Sequence, residues 1–91
     1  MKDDEVKFFR TIVKYGRWKI DDSYLSVREI MNILGEFINY KRCWYILQKW
    51  CGAGFYDYGT TLDLGWIYLN RLPDRYRVLI EDLILEKGGL K

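Results

Sequence analysis

Between residues 39 and 49 the chain carries Asn39, Tyr40, Lys41, Arg42, Tyr45, Gln48 and Lys49. On a helix Lys41, Arg42, Tyr45, Gln48 and Lys49 share an outward face, opposite an apolar stripe of Cys43, Ile46, Leu47 and Trp50, with Asn39 and Tyr40 in the amino-terminal half. Their chemistry suits phosphates and base edges. Arginine can present two donors to guanine, glutamine can pair with adenine, and lysine supplies a point charge for phosphate. No other cluster has comparable chemical promise. There is no histidine, so histidine triads and histidine-ligated metals are excluded. Cys43 and Cys51 alone cannot build a structural zinc site. On one helix they would lie about 12 Å apart, beyond disulfide reach. They are expected to be reduced, partly buried thiols of a cytoplasmic protein. Asp57 and Asp63 could face each other across a hairpin, yet no base or metal-ligand set accompanies them. Gly52-Ala53-Gly54 follows a helix and precedes a strand, the reverse of a phosphate-binding loop. Neither catalysis nor a cofactor is expected.

The elements that would position the basic face can be read from caps and periodicity. Asp3, Asp4 and Glu5 provide a helix start, and Val6, Phe8, Phe9, Ile12 and Val13 the stripe of a first helix that Gly16 closes. A polar connector spans residues 17–24, with Asp21-Asp22-Ser23 as its turn and Trp18 and Ile20 tucked onto the core. Ser26-Val27-Arg28-Glu29 is a capping box, followed by the stripe Val27, Ile30, Met31 and Leu34 and the terminator Gly35. Phe37 and Ile38 in the short link are expected in the core, and Asn39 caps the next helix, Tyr40 to Trp50. Phe55–Tyr58 and Leu62–Leu69 are β-prone runs flanking a Gly59-Thr60-Thr61 turn. Pro73 opens a last helix with the stripe Tyr76, Leu79, Ile80, Leu83 and Ile84, which Gly88-Gly89 stops.

Ninety-one residues, 49% of them hydrophobic, are enough for one small domain and argue against disorder. Fifteen basic residues against thirteen acidic ones leave only +2, so a nucleic-acid partner must be argued from the placement of charge. No leader-like apolar segment opens the chain. The apolar run from Val78 to Leu85 is short and interrupted by Glu81 and Asp82, so no membrane span is expected.

The order capped helix, short link, basic helix, hairpin, helix resembles the winged helix-turn-helix family over residues 23–69. The resemblance implies an α+β domain over residues 1–91, a three-helix core with a two-stranded wing and an added C-terminal helix, 73–87. Val27 to Leu34 would be the positioning helix, Asn39 to Trp50 the recognition helix in the major groove, and Gly54 to Leu69 the wing. It implies a small intracellular DNA-binding regulator of transcription, of compact or mobile-element type. Asn39, Tyr40, Lys41, Arg42, Tyr45, Gln48 and Lys49 would contact duplex DNA, joined by Arg28 and by Thr60 and Thr61 at the wing tip. A homodimer through residues 76–85 would match a palindromic site.

The wing departs from the family pattern. No lysine or arginine lies between Cys51 and Asn70, while Asp57 and Asp63 do. Tyr40, Trp44, Tyr45, Tyr56, Tyr58, Trp66 and Tyr68 gather around the basic helix and hairpin. They suit a small aromatic core, a stacking platform for single-stranded bases, or a protein-binding surface. A winged helix that meets a protein through its aromatic, uncharged wing is therefore the alternative reading.

Overall fold

The computed structural model describes residues 1–15, 25–35, 37–57 and 66–86, and for Trp66 and Glu86 the backbone only. Among these residues the chain is mostly helical with one antiparallel strand pair, an α+β arrangement. Helix α1 runs Asp3–Tyr15, α2 Val27–Ile33 and α3 Tyr40–Gly52. Strands β1, Tyr56–Asp57, and β2, Trp66–Ile67, pair with Tyr56 opposite Ile67 and Asp57 opposite Trp66. A 3-10 turn at Leu69–Arg71 leads to α4, Asp74–Arg77, a second 3-10 turn at Val78–Ile80 and α5, Glu81–Glu86. No described helix is long and apolar enough to cross a membrane.

Local chemistry explains each boundary. The capping box of α2 closes in both directions: Glu29 N donates to Ser26 Oγ and Ser26 N to Glu29 Oε1, each at 3.1 Å. Asn39 caps α3 by accepting the Arg42 amide at 2.8 Å. The end of α3 is a Schellman motif, which carries the helix two residues past Trp50. Gly54 N donates to the Cys51 carbonyl and Phe55 N to that of Trp50, while the Phe55 and Trp50 rings lie 5.9 Å apart. Gly54 provides the left-handed turn at φ +89°.

The core is aromatic. Phe8 stacks on Trp50 at 5.3 Å, and Phe9 meets Trp50 and Tyr76 edge-on at 5.5 and 5.2 Å. Phe55 lies 4.7 Å from Tyr76. Apart from Val6, the stripes of α1, α2 and α3 are buried as their spacing predicts, Ile12, Ile30, Ile46 and Leu47 among them. Helix α1 packs on α2 and on the Val78–Ile80 turn, and α3 on β1. Among the described residues one charged side chain, Glu5, is buried in this core. Glu5, not Val6, heads the buried face of α1, and Val6 is half-buried.

Several expectations are corrected. Ile38 is buried as expected, but Phe37 is 62% exposed. The Leu34 carbonyl accepts both the Phe37 and Ile38 amides, a tight turn that leaves Ile38 buried and Phe37 exposed. There the Lys7 ammonium lies 3.7 Å from the Phe37 ring centre. The second β-run ends earlier than expected: Tyr68 N still donates to the Phe55 carbonyl, but Leu69 already turns in 3-10 geometry, while residues 62–65 lie outside the described residues. The last helix is not continuous. A 3-10 turn at Val78–Ile80 interrupts it, and the Arg10 guanidinium donates to the Leu79 carbonyl within that turn. Pro73 stands just before α4 rather than inside it, a one-residue difference in boundary. Cys43 is buried and Cys51 exposed, both as free thiols. Expectations for Gly16, Trp18, Ile20, the Asp21-Asp22-Ser23 turn, Tyr58, Gly59, Asp63 and Gly88-Gly89 lie outside the described residues.

Candidate functional site

The outer face of α3 separates into two sets of side chains. Tyr40, Lys41, Tyr45 and Gln48 are exposed, Tyr40 and Tyr45 at 57% and 59%. Lys41 has no ion-pair partner among the described residues. Tyr40 meets the half-buried Trp44 edge-on, with ring centres 6.1 Å apart. Asn39 is exposed, but its side-chain oxygen is occupied by the cap.

Arg42 and Lys49, two helical turns apart on α3, turn instead toward the first turn of α1. Arg42 grips Asp4 with two bonds, Nε to Oδ2 at 2.8 Å and an Nη to Oδ1 at 3.1 Å. Its guanidinium also lies 5.4 Å from the Tyr45 ring centre. Lys49 Nζ donates to Glu5 Oε1 at 2.9 Å. Glu5 Oε2 accepts from Trp50 Nε1 at 3.0 Å and from the Tyr76 hydroxyl at 2.7 Å. One carboxylate therefore ties α1 to α3 and α4 inside the core.

The electrostatics follow from these contacts. Burial pushes the Glu5 carboxyl up, but the bonds from Lys49, Tyr76 and Trp50 together outweigh it, and its pKa lies below the ordinary value. The bond from Arg42 lowers Asp4, and the same bond raises Arg42. The Lys49 ammonium is likewise raised, first by its bond to Glu5. Tyr76 is raised by burial and by donating to a carboxylate. All four charged groups are fully ionised near neutrality. An open groove lined by Lys2, Glu5, Arg42, Tyr45 and Lys49 runs between the first turn of α1 and α3.

Of the remaining residues singled out in the sequence, Arg28 is exposed on α2, and Thr60 and Thr61 lie outside the described residues. Among the aromatics, Tyr56 belongs to the core and Tyr68 is half-buried, its hydroxyl 3.5 Å from Asp57 Oδ2. The last helix exposes Val78 and Leu85 at 58% and 78%, while Leu79 and Ile84 pack partly against the core. No group of histidine, cysteine and carboxylate side chains suited to a metal ion occurs among the described residues.

In the sequence Asp3, Asp4 and Glu5 read as helix-start chemistry; the reach of Asp4 and Glu5 to α3 is visible in the structure. One signal was present: Glu5, Phe8, Phe9 and Ile12 follow helical spacing, so the carboxylate sits at the head of an apolar stripe. A buried acid needs donors, and Trp50 and Tyr76, on inward stripes elsewhere, are apolar bodies with polar tips. No family model matches this chain, and neither a curated protein nor a solved structure matches it.

Proposed function

We propose that the chain is a winged helix-turn-helix domain of a small regulator of transcription, of compact or mobile-element type, that binds duplex DNA. In this reading α2 is the positioning helix, α3 enters the major groove, and residues 54–69 form the wing. The observation that carries the reading is the capped amino-terminal half of α3, which exposes Tyr40 and Lys41, with Tyr45 and Gln48 on the following turns. A helix that enters a groove uses this half for base edges. Lys41 and Arg28 take phosphate, Gln48 and Tyr45 face bases, and Thr60 and Thr61 contribute hydroxyls from the wing. Arg42 and Lys49 are anchored to α1, so the electrostatic footprint is smaller than the basic count of α3 suggests. A two-fold dimer through residues 76–85, where Val78 and Leu85 are exposed, pairs two such helices.

The test is an amide-resolved NMR titration with a mixed-sequence duplex at about 50 and about 200 mM salt. Shifts concentrated in residues 39–49 that fade at the higher salt support the reading. One to two phosphates per protomer correspond to a slope of log K against log salt of about −1 to −2. Lys41→Glu should weaken binding without unfolding the domain, because Lys41 is exposed and outside the α1 contacts. No shifts at the lower salt would overturn the assignment.

A second reading is favoured by the exposure of Phe37, Tyr40 and Tyr45, the last beside the anchored Arg42. Here these side chains meet a protein partner, for which exposed aromatics are suitable anchors. Such binding would respond only weakly to salt, which separates it from the first reading.

A further inference from the structure

Arg42 and Lys49 are both held by acids of α1, but in different ways. Glu5 is enclosed, with its side chain 2% exposed and three donors from α3 and α4. Asp4 is half-buried at the edge of the contact, with its side chain 28% exposed and that of Arg42 23%. Its contact to α3 is the two-bonded grip of Arg42. That grip has the geometry by which a guanidinium holds a phosphate: two parallel N–H donors against two oxygens of one planar or tetrahedral anion. It also lies beside the amino-terminal half of α3, where the helix dipole favours negative charge. The Asp4 carboxylate thus occupies the seat a backbone phosphate would take at Arg42.

We infer that Asp4 is an internal competitor for the phosphate seat at Arg42, holding down the affinity of α3 for duplex DNA. This inference rests on the DNA-binding reading. Displacing Asp4 exchanges one anion for another on the same donors and leaves the Glu5 cluster, which carries the packing of α1 against α3 and α4, intact. Asp4, at the edge of the first turn of α1, then turns out to water. The Arg42–Asp4 pair sets affinity, and the Lys49–Glu5 pair sets structure. Reversing Arg42 to an acid would place two carboxylates together and disturb α1, so the informative substitution is at Asp4.

The experiment measures binding of the full chain to one mixed-sequence duplex across a salt series, for wild type, Asp4→Asn, Asp3→Asn and the double variant Asp4→Asn/Arg42→Gln. Asp3 is exposed and gives the same change in net charge without a bond to Arg42. Asp4→Asn should steepen the slope by about 0.9, one added phosphate contact, with affinity at 50 mM rising about tenfold. Asp3→Asn should stay close to wild type, and the double variant should lose the gain. The indole N–H resonance of Trp50, bonded to Glu5, reports that the fold is retained, with Asp4→Ser as a second variant if Asn perturbs the turn. If wild type binds but Asp4→Asn matches wild type or Asp3→Asn, the inference is wrong and the DNA reading stands. If no variant binds at 50 mM salt, the DNA reading fails and the inference falls with it.

Discussion

The hydroxyl of Tyr76 donates to Oε2 of Glu5 at 2.7 Å, joining residues 71 positions apart through the middle of the core. The bond makes the amino-terminal turn of α1 and the start of α4 parts of one polar cluster, with the Trp50 indole of α3 as its third side. A carboxylate so enclosed is stable only because its acceptor sites are used, since an unpaired buried charge is expensive. The cluster fixes α3 to α1, and so determines which of the α3 side chains stay exposed.

Removing the acceptor should therefore cost more than an ordinary surface change. Glu5→Ala strands the buried Trp50 and Tyr76 donors and should destabilise the domain by about 2–4 kcal/mol. Glu5→Gln keeps a carbonyl acceptor and should cost less. Urea unfolding followed by tryptophan fluorescence gives both values. Equal stability of Glu5→Ala and wild type would contradict the role assigned to the cluster.

Acid should act through the same contacts. Glu5, Asp4 and Asp82 all have folded-state pKa values below their ordinary ones, with Asp82 held at about 2, first by its bond from Arg10. Groups depressed in this way stabilise the fold fully above their ordinary values of 4.5 for Glu5 and 3.8 for the aspartates. That contribution is lost as pH falls through the folded-state values. Stability should be flat from pH 7 to about 5 and decline below it. Glu5→Gln should flatten part of that decline. A pH series of urea midpoints measures both.

The local parts of this architecture were legible in the sequence because they are made by neighbours. The Ser26–Glu29 box and the Asn39 cap each join residues three positions apart, and the stripes of α1 to α3 repeat on helical spacing. The role of Arg42 was not legible in the same way. Periodicity places it outward on α3, but only the packed structure shows that the edge it occupies is bordered by Asp4, 38 positions away. Phe37 and Ile38 show the same limit on a smaller scale. Both are apolar, and only the turn at Leu34 decides which one enters the core. Arg10 reaches the Leu79 carbonyl, inside the 3-10 turn of the last helix, across 69 positions, a contact that no stripe in residues 76–84 encodes.

The two cysteines should differ sharply in reactivity. Burial pushes the Cys43 thiol up to about 11, with the Asp4 charge adding to the rise, whereas Cys51 is exposed near the end of α3. The thiolate is the reactive form, so Cys43 is protected twice, by enclosure and by protonation. Maleimide at neutral pH should modify one site per chain in the native state and two in denaturant, with peptide mass mapping placing the first on Cys51. Rapid native labelling of Cys43 would show that the α1–α3 contact opens readily.

The end of α3 offers a comparison between two glycines two residues apart. Gly52 lies in the helix, and a Cβ built there meets nothing within 4 Å. Gly52→Ala should stabilise by about 0.5–1 kcal/mol, because alanine loses less backbone entropy in a helix. Gly54 is equally open around its Cβ position, but its φ of +89° is one that L side chains rarely adopt. Gly54→Ala should destabilise by about 1 kcal/mol or more through backbone strain, since no clash is involved. The opposite signs follow from φ alone, because space is available at both sites. The consequence extends beyond the turn: Gly54 precedes Phe55, whose ring covers Tyr76 and whose carbonyl accepts the Tyr68 amide. A strained Gly54→Ala chain should therefore loosen the register of β1 against β2, seen as faster amide exchange at Tyr68, while Gly52→Ala leaves that exchange unchanged. Matching effects of the two substitutions on urea stability would remove the Schellman turn as the determinant of how the strand pair joins α3.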